Sequence, residues 1–164
     1  LNRGLDQIPI ESIESVLVLG MGAGCVVDSL RNKFFYYGPV FGVELDPVVI
    51  QIAEKEFDIS KFEDVDIIQA DAKKFLRKHP RQYDLIVIDV FVDIQVPRKF
   101  YSERFWNKVE NSVTTDGFVI FNAGIDLTRK EIDDFLDTLP AGLVYTVTTN
   151  VLKSNTLIIL QKIA

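Results

Sequence analysis

Val16-Leu17-Val18-Leu19-Gly20-Met21-Gly22-Ala23-Gly24 is the stretch that decides the fold. Four apolar residues in unbroken succession, closed by glycine, suit a short strand covered on both faces. The G-x-G-x-G run after it permits a tight turn and close backbone approach. A helix opens at about Cys25, and its first turn offers free N–H groups and a partial positive charge. Such a loop suits a phosphate or carboxylate. The dinucleotide fingerprint G-x-G-x-x-G is not met, because its third glycine would fall at Cys25. Read from the residues alone, a ligand loop and a plain strand–helix turn both fit.

The same alternation continues along the chain. Apolar runs at 16–19, 40–43, 65–69, 85–88 and 118–121 read as strands. Segments 26–33, 47–57, 72–78, 102–113 and 128–139 read as helices, with Pro47 suited to a first helical turn and Thr128 with Glu131 forming a capping box. This β-α-β order predicts a parallel sheet with right-handed crossovers. Runs 143–149 and 156–161 leave no room for a helix between them and predict an antiparallel C-terminal hairpin. Residues 1–14 read as a lead-in with one short helix, and residues 15–164 as one Rossmann-like domain. The chain begins at Leu1 rather than Met, from which a missing native beginning is expected.

Composition narrows the classes. The 164 residues are 48% hydrophobic and 26% charged, the balance of a globular domain. One cysteine, Cys25, rules out an internal disulfide, and one histidine, His79, rules out most multi-histidine metal sites; no metal is expected. A net charge of -6 argues against a broad phosphate-binding surface, so no nucleic-acid partner is expected. The most apolar early stretch, 16–27, is too short for a membrane span and is interrupted by three glycines. No basic segment precedes it as in a signal peptide. A cytoplasmic protein without a membrane partner is therefore expected. Cys25 reads as a small packed turn residue, and His79 as a surface helix end. Trp106 reads as packing a helix onto the sheet. The aromatic run 34–37 fits either the core or a homodimer contact.

In an open parallel sheet, ligands bind beyond the carboxyl ends of the strands. Acids stand at three further ends. Glu44 follows the second strand, where an ionised carboxylate accepts both hydroxyls of a ribose. Asp46 reads as an N-cap. Asp71 follows the third strand and can accept from an adenine amino group, cap the next helix, or do both. Asp89 follows the fourth, where it can orient an amine or accept its proton, or serve as a structural acid bonded to loop amides.

These stretches, together with FGVELDPVVIQIAEKEF at 41–57, IIQADAKKFL at 67–76, YDLIVIDVF at 83–91 and FYSERFWNKVENSVTTDG at 100–117, resemble the class I S-adenosylmethionine-dependent transferases, and within them the spermidine synthase-like group. The resemblance implies a three-layer α/β/α sandwich with a mostly parallel seven-stranded sheet. It implies that Gly20, Met21, Gly22 and Gly24 border the methionine part of S-adenosylmethionine or its decarboxylated form. Glu44, with Leu45 beside it, would hold the ribose, and Asp71 with Ala72 the adenine. Asp89 would meet both cofactor and acceptor, as the first acid of the aminopropyltransferase D-x-x-D motif. Three departures stand out. Ala23 replaces an acid that such enzymes commonly use to hold an amine. The motif becomes D-x-x-x-D, from Asp89 to Asp93, around Val90 and Phe91. The family's usual small N-terminal β-domain is missing from the sequence. An uncharged position 23 favours intact S-adenosylmethionine, whose tail carries its own carboxylate. The expectation is methyl transfer to a small-molecule acceptor, with Asp89 and Asp93 as the catalytic acids. An aminopropyltransferase with an amine acceptor, a non-catalytic nucleoside-binding relative and an NAD-dependent oxidoreductase stand as alternatives.

Overall fold

The computed structural model describes residues 1–125, 127–151 and 155–164. Seven strands form one sheet: β1 (Val16–Leu19), β2 (Val40–Glu44), β3 (Val65–Gln69), β4 (Tyr83–Ile88), β5 (Val113–Ile125), β6 (Leu143–Val151) and β7 (Asn155–Lys162). Their order is β3-β2-β1-β4-β5-β7-β6. The first five strands are parallel, and β7 inserts antiparallel between β5 and β6. The expected C-terminal hairpin is therefore present; its connection at 152–154 lies outside the described residues.

The helices are α1 (Asn2–Leu5), α2 (Cys25–Asn32), α3 (Pro47–Glu56), α4 (Ala72–Lys78), α5 (Glu103–Ser112) and α6 (Arg129–Leu136). They cover both faces, giving the three-layer α/β/α sandwich. Val26, Val27 and Leu30 of α2 and Ala53 of α3 pack with Leu5, Ile8, Ile10 and Ile13 on one face. Phe75, Leu76, Phe105, Trp106, Val109 and Phe135 pack from α4, α5 and α6 on the other. Burial on two faces explains why β1 and residues Leu85–Ile88 of β4 are continuously apolar. Trp106 is fully buried, and its indole N–H donates to the Phe100 carbonyl at 2.9 Å. The lead-in is part of this core rather than a loose tail, with Gly4 seated against Leu157 and Ile120.

Two elements, β5 and α6, depart most from the sequence reading. Strand β5 begins five residues earlier than 118, through Thr114, Thr115, Asp116 and Gly117, which have the composition of a turn. Its register against β4 shifts between Tyr83 and Leu85, and Asp116 takes φ 64°, so an irregular extended segment precedes the apolar part. Helix α6 stops at Leu136 because the Thr138 hydroxyl captures the Phe135 carbonyl at 2.7 Å and Pro140 follows. The capping box forms as expected, with Thr128 and Glu131 bonded reciprocally. The aromatic run divides: Tyr36 is buried at 6% exposure, whereas Phe35 and Tyr37 are 69% and 68% exposed.

Candidate active site

The order β3-β2-β1-β4 places a topological switch between β1 and β4, and a crevice opens beyond their carboxyl ends. Its volume is about 580 Å³, within the range of small-molecule sites. Gly20, Met21, Gly22, Glu44, Leu45, Asp71, Ala72, Asp89 and Asp93 all line it. Gly24 does not. It begins α2 at φ 91°, and a Cβ there would collide with the Ile59 side chain, so this glycine serves packing beneath the loop.

The loop is shaped by close contacts. Both Gly20 and Met21 donate to the Val43 carbonyl, at 2.8 and 3.0 Å, which turns the chain sharply off β1. Gly20 has φ 81°, and a side chain there would collide with the Asp89 carbonyl. Met21 is buried against Gly42 of β2. At Gly22 a Cβ would meet nothing within 4 Å, so the loop is open on that side. Gly22 N–H donates to one Glu44 carboxylate oxygen at 2.9 Å, while the other accepts from Leu45 and Asp46 N–H at 2.7 and 3.0 Å. Glu44 thus ties the glycine loop to the end of β2. A carboxylate offers about four acceptor positions, so one remains for a ligand hydroxyl alongside these three bonds. Asp46 caps α3 through Val48 N–H at 2.8 Å.

Asp71 performs two structural tasks at the rim. One oxygen caps α4 through Lys74 N–H at 3.0 Å; the other pairs with Lys99 at 2.7 Å. Burial pushes its pKa up, but the Lys99 hydrogen bond and the Lys74 amide outweigh it and hold the carboxyl below its usual range. Asp89 is the reverse case. Burial raises its pKa, and the hydrogen bond from Asn122 Nδ2 at 2.9 Å only partly offsets this. Asp93 occupies a tight turn at φ 55°, where Val92 and Gln95 exchange backbone hydrogen bonds at 2.9 and 3.1 Å; it is exposed.

The sequence reading passes over Lys99 and Asn122. Asn122 directly follows the expected fifth strand at 118–121, so reading that strand end as well would have found it. Lys99 sits in a short 3-10 turn, Arg98–Tyr101, and carries no local signal. Cys25 corrects an expectation: it is exposed at the start of α2 and lines the crevice rather than packing beneath it. His79 ends α4 at the surface, stacked on Phe75.

The fold and crevice define an α/β domain of the Rossmann-like kind with an open cavity at the carboxyl ends of its strands. Residues 5–141 match the spermine/spermidine synthase domain, and the chain belongs to that family. Polyamine aminopropyltransferase 2 of Aquifex aeolicus is 26% identical over 132 residues, which cover 75% of this chain; the chain spans only 26% of that relative's length. Human methyltransferase-like protein 13, solved in complex with SAH, superposes with a TM-score of 0.80 at 22% identity, over 94% of this chain and 74% of that one. A probable spermidine synthase from Corynebacterium glutamicum gives 0.75 at 20% identity, over 98% and 60%. These likenesses show the fold. No helix among the described residues is long and apolar enough to cross a membrane.

Proposed function

We propose that the crevice binds the S-adenosyl nucleoside and that the protein transfers a group from its sulfonium to a small-molecule acceptor. The observation that carries this reading is the convergence of the open glycine loop, Glu44, Asp71 and Asp89 on one cavity at the β1/β4 switch. The crevice fits the nucleoside: Gly22 leaves space where a side chain would intrude, Glu44 keeps an acceptor for a ribose hydroxyl, and Asp71 with Ala72 flanks the adenine position. When bound, the sulfonium supplies a carbon group on an excellent leaving group. The protein's task is then chiefly alignment. Asp89, half-buried and braced by Asn122, orients the acceptor and takes its proton; a raised pKa suits a group that must accept a proton.

Methyl transfer is the first reading, because no carboxylate stands on the loop 20–24 and Ala23 lines the crevice where a free amine would need one. Aminopropyl transfer is the second, favoured by the family match and by the names of the curated relatives. In that reading Asp89 is the base and Asp93, across the exposed turn, anchors an amine. Calorimetric titration with intact and with decarboxylated S-adenosylmethionine separates the two. Tighter binding of the intact form is expected; binding of the decarboxylated form alone would overturn methyl transfer in favour of the aminopropyl reading.

A further inference from the structure

A second cleft, about 340 Å³, opens between α4 and α5 beside the nucleoside crevice. Six cations line it: Lys73, Lys74 and Arg77 from α4, Lys99 from the turn before α5, and Arg104 and Lys108 from α5. They are a third of the 18 lysines and arginines of a chain whose net charge is -6. The lining holds one carboxylate, Asp71, and one aromatic floor residue, Phe105.

The spacing of these cations is costly. Lys73 with Arg77, and Arg104 with Lys108, are like-charged pairs one helical turn apart, an arrangement that destabilises a helix. The chain handles α6 differently, where Arg129–Asp133 and Lys130–Asp134 are opposite-charge pairs at the same spacing. Among the described residues, Lys99 alone of the six has an ion-pair partner. Two like-charged ridges facing one cleft leave positive potential that a multiply charged anion neutralises.

We propose that the α4/α5 cleft binds a phosphorylated small molecule through a di- or triphosphate group. Two arginines supply planar forks that match phosphoryl oxygens, and four lysines supply point charges around them. The cleft volume suits a compact ligand rather than a duplex. Asp71 and Lys99 line both cavities, so an anion in the cleft competes with Asp71 for Lys99 and reaches the rim of the nucleoside crevice. The inference stands apart from the donor reading, since the probe carries no nucleoside.

The test is titration of the full chain with inorganic tripolyphosphate at low ionic strength, by calorimetry. The parent protein is expected to bind one equivalent, more tightly than orthophosphate, and more weakly as salt is raised. Arg77→Glu/Arg104→Glu, two exposed positions, is expected to lose about 100-fold or more in affinity. Lys55→Glu/Lys61→Glu, which makes the same change in net charge on another exposed surface, is expected to bind as the parent does. Absence of saturable binding at millimolar tripolyphosphate overturns the proposal, as does an equal loss in both variants. Tighter binding of a short single-stranded RNA than of tripolyphosphate, abolished by Arg77→Glu/Arg104→Glu, would overturn the small-ligand assignment and give the cleft to RNA.

Discussion

Replacing Glu44 by alanine separates the two roles its carboxylate has in this structure. The first is structural: it accepts N–H groups from Gly22, Leu45 and Asp46 at 2.9, 2.7 and 3.0 Å. A net contribution of about 0.5–1.5 kcal/mol per hydrogen bond, reduced because water reaches this rim, gives a loss of about 1.5–3 kcal/mol. In a chain of this size that lowers Tm by about 3–12 °C. The second is ligand binding. One charge-assisted bond to a ribose hydroxyl, at the acceptor position the three N–H groups leave open, is worth about 1.5–3 kcal/mol and predicts about a 10- to 150-fold loss of affinity for methylthioadenosine. Differential scanning calorimetry reads the first effect, and isothermal titration at 25 °C, where the variant remains folded, reads the second. Glu44→Gln keeps one acceptor oxygen and should fall between parent and alanine in both. A lowered Tm with unchanged affinity would refute the ribose assignment and leave Glu44 as a loop tether only. An unchanged Tm would refute the tether.

Three further outcomes follow from the same geometry. Asp89→Asn should raise stability by about 0.5–2 kcal/mol at neutral pH while abolishing transfer. Burial raises the Asp89 pKa, so the native state holds its proton more tightly than the unfolded chain and the parent loses stability as pH rises out of the ordinary carboxylate range; the gap between variant and parent should close in acid, as urea denaturation across pH will read. Gly20→Ala should cost about 2–5 kcal/mol in denaturant unfolding, combining a left-handed φ of 81° with a collision against the Asp89 carbonyl. Trp106→Ala should cost about 3–5 kcal/mol by the same measurement, since it empties a fully buried site and frees the Phe100 carbonyl.

The layout of the sheet is legible in the sequence because two-sided burial leaves apolar runs that need no alternation, as at Val16–Leu19 and Leu85–Ile88. The acids at the ends of β2, β3 and β4 are legible for a related reason: once strand ends are known, topology brings them together. What local pattern does not carry is long-range pairing. Lys99 meets Asp71 across 28 residues and Asn122 meets Asp89 across 33, and neither contact leaves a periodic trace. The start of β5 is hidden because Thr-Thr-Asp-Gly has turn composition and is held extended by its neighbours. The basic cleft is hidden by the whole-chain charge, which averages six clustered cations into a net acidic sequence.

We propose the crevice at the β1/β4 switch as an S-adenosyl nucleoside site. Isothermal titration of the purified chain with S-adenosylmethionine, methylthioadenosine and NADH tests it most directly. One-to-one binding of an S-adenosyl or methylthioadenosyl ligand is expected, weakened about tenfold or more in Glu44→Ala, with no binding of NADH. Binding of NADH in place of the sulfur nucleosides, or binding of the latter that Glu44→Ala leaves intact, would contradict it.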